Sequence, residues 1–105
     1  MLNMVTFNKL VRDKIPAIIE AGGEKANIRI LETEEYRYEL ERKLDEEVSE
    51  FHRDQNLEEL ADILEVVYGL ASSLGHSQDD LLEVYRRKHE SRGGFEDRIY
   101  LISKE

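Results

Sequence analysis

The chain of 105 residues contains no cysteine. Disulfide staples and thiolate metal sites are therefore excluded, and any ion must be held by oxygen or nitrogen ligands. Long apolar runs are missing too. No stretch approaches the roughly 20 apolar residues that span a bilayer, and the opening MLNMVTFNKLVRDK lacks the apolar run of a signal peptide. The expectation is a soluble cytoplasmic protein with no membrane partner. Basic residues are scarce, with 15 Lys and Arg against 24 Asp and Glu and a net charge of −9. That balance argues against wrapping a polymeric nucleic acid, because such binding rests on neutralising phosphates. A small polyanion stays open as a ligand if a metal supplies the positive charge. Repeats, low-complexity segments and linkers are absent as well, so residues 1–105 read as one domain with a modest core. At 40% hydrophobic residues the chain is no disordered acidic tail.

What is present reads mainly as helix. In RDKIPAIIEAGG, Asp13 is placed to cap a short helix, Pro16 falls in its first turn, and Gly22-Gly23 stop it. ANIRIL and RIYLIS alternate like short strands, with Ile28 and Ile30 on one face and Ile99 and Leu101 on another, and could pair as a small two-stranded appendage. Thr33 opens a long helix with Glu34 and Glu35 in its positive first turn, running to about His52. Asp54 or Asn56 caps the next, from about Leu57 to Leu74, which Gly75 ends. SQDD forms a capping box, Ser77 with Asp80, before a third long helix that Gly93-Gly94 end. Short connections make neighbours antiparallel, so the fold class is all-α, an antiparallel helical bundle.

Carboxylates fall where these helices should bury apolar surface. On the first long helix, Tyr36, Leu40, Leu44, Val48 and Phe51 cover an arc of about 120°. Glu47 lies inside that arc near Lys43, Glu50 lies at its edge, and Glu46 is further round. On the second, the apolar residues from Leu57 to Leu74 cover roughly 200°, with Glu59 inside and Asp62 beside them. Glu58 and Glu65 point away. Two i, i+3 acidic pairs thus converge on facing helices. A single such pair would read as solvated charge, since charged side chains are mostly exposed. Two matched pairs in a core repel one another and lose hydration, a conflict that Mg²⁺ or Mn²⁺ with its preference for carboxylate oxygens would remove. Leu81, Val84 and Tyr85 mark the apolar face of the third long helix, and Lys88 and Arg92 share it, directed inward, whereas Arg86 and Arg87 point elsewhere. Such cations could hold the anionic end of a substrate or could simply close the bundle as salt bridges. His52, His76 and His89 share no spacing and read as surface residues.

EEVSE (Glu46, Glu47, Glu50) followed by ELAD (Glu59, Asp62) resembles the E-E-x-x-E and E-x-x-D signature of the all-α nucleoside triphosphate pyrophosphohydrolases. This MazG-like superfamily also includes phosphoribosyl-ATP pyrophosphohydrolase. KHESRGGFEDRIYL is similar to the K…R-G-G-F ending of the phosphoribosyl-ATP branch, and NKLVRDKIP to the opening of small proteins grouped near it. The interval between the acidic motifs, Phe51 to Glu58, is shorter than in many members.

The resemblance implies Mg²⁺-dependent hydrolysis of the α–β phosphoanhydride of a nucleoside triphosphate, to the monophosphate and pyrophosphate, on noncanonical substrates as a house-cleaning activity. It further implies Glu47, Glu50, Glu59 and Asp62 as metal ligands, with Glu46 behind them or orienting the attacking water. Lys88 and Arg92 are the candidates for phosphate contacts, followed by Lys9 and Arg12. Two alternatives stand beside this reading: phosphoribosyl-ATP hydrolysis in histidine biosynthesis, and a non-catalytic helical interaction module that binds no metal. The wide apolar arc of the Leu57–Leu74 helix, and the assemblies usual in the family, lead to a homodimer or larger homo-oligomer built around that helix.

Overall fold

The computed structural model describes residues 4–105, which form four helices: α1 (Ile15–Ala21), α2 (Thr33–Asp54), α3 (Leu57–Ser73) and α4 (Gln78–Arg92). No helix among the described residues is long and apolar enough to cross a membrane. Local signals account for most of the boundaries. The Asn56 side chain accepts a hydrogen bond from the Glu59 amide at 3.0 Å and starts α3. Ser77 and Asp80 exchange both bonds of a capping box at the head of α4. Gly75 and Gly93 take positive φ beyond the ends of α3 and α4.

One cap differs from the expectation. Lys14, not Asp13, occupies the N-cap of α1 and makes no side-chain bond there; Pro16 nevertheless lies in the first turn. Thr33 opens α2 as expected, with Glu34 and Glu35 in the first turn; the cap before it is Glu32, whose side chain is unbonded. At its other end α2 continues through Arg53 and Asp54, two residues past His52. Gln55 then turns the chain in the left-handed region at φ 50°, and α3 begins at once. The short interval between the acidic motifs is thus mostly helix, with a turn of only Gln55 and Asn56.

The β appendage is corrected outright, because the described residues contain no strand. Ile28, Ile30, Ile99 and Leu101 run in irregular segments and are 64–86% exposed. Alternation alone makes no ladder: two short strands without a layer beneath them gain too little burial to offset the order they require.

Helices α2 and α3 pack as an antiparallel hairpin that holds nearly all of the core. Arg37 at one end donates to the Ser73 carbonyl, Leu40 lies against Gly69 near the middle, and Glu47 and Glu50 meet Glu59 and Asp62 at the other end. Gly69 permits the close approach, since a Cβ there would come within 3.0 Å of Leu40 Cδ2. Leu40, Val66 and Ala71 are buried, and with them one charged residue, Glu47.

Helix α4 is attached more loosely. Val67, Leu70, Ala71 and Leu74 of α3 and Leu81 and Val84 of α4 line an open groove of about 530 Å³, and α4 buries no residue fully. The molecule is extended, 69 × 32 × 24 Å, with a radius of gyration of 18.4 Å. A compact domain of this length would have about 13 Å.

Candidate metal centre

The acidic site lies at the turn end of the α2–α3 hairpin. Glu47 and Glu50 are one turn apart on α2, Glu59 and Asp62 one turn apart on α3, and the antiparallel register sets the pairs face to face. One carboxylate oxygen from each of the four lies within 4.8 Å of the other three. Glu47 is only 7% exposed, and the other three are half-buried.

The cluster is only partly compensated. Lys43, one turn before Glu47 on α2, brings its ammonium to 3.5 Å from Glu47 Oε1 and 3.4 Å from Glu46 Oε2. Glu47 Oε2 and Glu59 Oε2 are buried without any hydrogen-bond partner. Burial pushes the Glu47 carboxyl above the ordinary glutamate range, and the neighbouring Glu50 adds to the effect through hydrogen bonding and charge. Lys43 opposes the shift, and Asp62 adds a little more. Glu59 is raised as well, by desolvation first and then by Glu50 and Asp54. Unsatisfied buried carboxylate oxygens are costly, so this arrangement is one that a cation would stabilise.

Two further cations reach the site from the irregular segment before α1. Arg12 Nη2 donates to Asp62 Oδ1 at 2.6 Å, and Lys9 Nζ lies 3.6 Å from Glu46 Oε1. Their charges suited phosphate on paper; in the fold they sit on carboxylates. Glu46 stays outside the four-oxygen cluster, at its flank, between Lys9 and Lys43.

Lys88 and Arg92 are placed differently from the expectation, being exposed on the outer half of α4 rather than turned inward. They line a shallow surface composed of α4 residues alone, together with Val84, Arg87 and Ser91. Arg87, which the helical wheel turned away from them, is thus their neighbour. The reason is tertiary: the groove shared with α3 reaches only to Val67 on α3 and Arg87 on α4, and neither Lys88 nor Arg92 lines it. Within one chain these cations do not join the carboxylates. The three histidines are exposed; His76 Nδ1 lies 3.2 Å from Asp80 Oδ2, and His89 stacks on Tyr85.

Lys43 was legible as a neighbour of Glu47 from the i, i+4 spacing. The engagement of Asp62 by Arg12 had no such signal, since 50 residues separate them.

No family model matches the chain, and no solved structure does. An uncharacterised protein of Mycolicibacterium smegmatis (strain ATCC 700084 / mc(2)155) is 48% identical over 54 residues, which is 48% of this chain and 55% of that protein. The chain therefore spans about half the length of the curated relative it matches.

Proposed function

We propose that the chain is a Mg²⁺-dependent nucleoside triphosphate pyrophosphohydrolase, with Glu47, Glu50, Glu59 and Asp62 as the metal ligands. The observation that carries this reading is the pair of orphaned oxygens, Glu47 Oε2 and Glu59 Oε2, in a cluster whose donors are all carboxylate. Hard oxygen donors and incomplete neutralisation suit Mg²⁺ or Mn²⁺ and suit no soft metal. When bound, such an ion polarises phosphate oxygens and makes water a better nucleophile near neutral pH.

The remaining roles belong to the protein. Glu47, nearly dry and anchored through Lys43, keeps the ligand set in register. Glu46, half exposed at the flank, is positioned to accept a hydrogen bond from an attacking water and orient it toward the phosphoanhydride. Cations supply the other half of the site, since phosphoryl transfer depends on stabilising charge on the phosphate oxygens.

Exposure supports assembly into a homodimer or larger homo-oligomer. The accessible surface is 9943 Å², whereas a compact monomer of 12.3 kDa exposes about 6,100 Å². The excess is on the scale of extensive obligate interfaces, well above a casual contact. It includes the stripe Leu57, Leu60 and Leu64 on α3, exposed at 78%, 44% and 49%, where α4 has diverged. A second copy covering that stripe would lie beside Glu59 and Asp62, and could bring its own Lys88 and Arg92 toward them.

The test is a panel of standard and noncanonical triphosphates, including phosphoribosyl-ATP, assayed for pyrophosphate release with Mg²⁺. Release that needs the metal and disappears in Glu47→Gln supports the reading. No release from any substrate, together with no metal binding, overturns it in favour of a non-catalytic helical module. Sedimentation at low micromolar concentration tests assembly, and a well-behaved 12.3 kDa monomer would refute it.

A further inference from the structure

We infer that the segment before α1 is a removable counter-ion clamp: Arg12 stands in for the divalent cation while the site is free of metal, and Lys9 fastens the segment to Glu46 at the flank. On metal binding Arg12 leaves Asp62 and becomes available to an anionic substrate. The inference rests on the metal reading of the four carboxylates and adds a second position and role for the arm's cations.

Three observations carry it. The contact is direct, Arg12 Nη2 to Asp62 Oδ1 at 2.6 Å, and its acceptor is one of the four clustered carboxylates. With the Lys9–Glu46 pair it is one of two ion pairs that hold the arm among the described residues. Residues 4–12 form no helix or strand, Met4, Val5 and Phe7 are 65–82% exposed, and Leu10 alone is half-buried. Finally, compensation is divided unevenly around the cluster. Lys43, part of α2 itself, serves Glu46 and Glu47, whereas the only ion pair on the α3 carboxylates Glu59 and Asp62, among the described residues, comes from the movable arm.

The energetics favour exchange. The Arg12 and Asp62 side chains are 51% and 39% exposed, and ion pairs in that range hold their partners weakly. A guanidinium brings one positive charge to one carboxylate. A divalent ion brings two to all four, and its field repels the displaced arginine. Because the backbone amide of Ile15 donates to the Arg12 carbonyl at 3.0 Å, Arg12 stays tethered to α1. Once displaced, its planar fork of N–H donors remains at the rim of the site, where it can engage phosphate oxygens.

The experiment titrates Mn²⁺ alone, without nucleotide, into the full chain and into Arg12→Gln at low ionic strength. Removing the competitor should tighten Mn²⁺ binding about two- to fivefold, as expected for loss of an exposed ion pair, and the difference should shrink as salt is added. Lysine-specific proteolysis after Lys9 reads the arm itself. Mn²⁺ should accelerate that cut in the unaltered chain, whereas in Arg12→Gln the cut should be fast from the start and indifferent to Mn²⁺. Equal or weaker Mn²⁺ binding by Arg12→Gln, or protection of Lys9 by Mn²⁺, overturns the clamp and leaves the metal site standing. If neither protein binds Mn²⁺ while both keep their helices, the metal reading fails and the clamp fails with it.

Discussion

Two helix pairs share α3 and differ in what they bury. Against α2, α3 presents Glu59, Asp62 and Gly69, and the contact extends along the hairpin from the Arg37–Ser73 bond to the carboxylate cluster. Against α4 it presents Val67, Leu70, Ala71 and Leu74, and the contact becomes an open groove. The difference arises in part from the second helix of each pair. Helix α2 offers a continuous stripe from Tyr36 to Phe51, with Leu40 buried and the other members half-buried. Helix α4 carries three consecutive basic residues, Arg86, Arg87 and Lys88, after Val84 and Tyr85, so its apolar face ends at its middle. A wide stripe on one helix does not close a bundle unless its neighbour can match it. Here the tight pair holds the acidic site, and the loose pair leaves apolar surface uncovered.

The largest expected effect probes the tight pair. Glu47→Gln or Asp62→Asn should abolish Mg²⁺-dependent pyrophosphate release, while thermal unfolding shows the metal-free fold of Glu47→Gln to be as stable as the parent or more so. The pH dependence has the same origin. A carboxyl whose pKa is raised on folding binds its proton more readily in the native state, so its stabilisation is present at low pH and lost as pH rises through the folded pKa. For Glu47 and Glu59 the window lies above the ordinary value of 4.5. Denaturant titrations of the metal-free protein should therefore show stability falling as pH rises from there toward neutrality, with a shallower slope in Glu47→Gln. Glu35, Asp54 and Asp80, which are held below their ordinary values by ion pairs or hydrogen bonds, act in the opposite sense, and their contribution is lost only at more acidic pH.

Next in size is a change on the uncovered stripe. Leu64→Glu should break the assembly, seen as a lower sedimentation coefficient and a concentration-independent melting temperature. In a chain that functions as a monomer the same half-exposed position would tolerate the change within about 0.5 kcal/mol. Gly69→Leu then attacks the close approach of α2 and α3. Overpacking against Leu40 should cost about 1–3 kcal/mol in chemical denaturation. Ser77→Ala removes half of the capping box and should cost about 1 kcal/mol, felt as faster amide exchange at the start of α4 with Mn²⁺ affinity unchanged. Smallest are Glu58→Gln and Glu65→Gln on the outer face of α3, expected within about 0.5 kcal/mol of the parent.

Much of the molecule was legible because it depends on near neighbours. Caps and glycines lie within four residues of the ends they define, so Ser77, Gly75 and Gly93 could be placed in advance, and the cap of α3 narrowed to Asp54 or Asn56. The 3.6-residue repeat set Glu47, Glu50, Glu59 and Asp62 on facing stripes, and a hairpin with so short a turn allows almost one register. Local spacing carries no information about distant partners or about how fully a face is covered. Tertiary structure decided that Arg12 reaches Asp62, that Glu47 Oε2 and Glu59 Oε2 have no partner, and that Lys88 and Arg92 stand away from the carboxylates. It likewise decided that ANIRIL and RIYLIS form no sheet, because a strand is stabilised by the ladder and layer it joins and not by its own alternation.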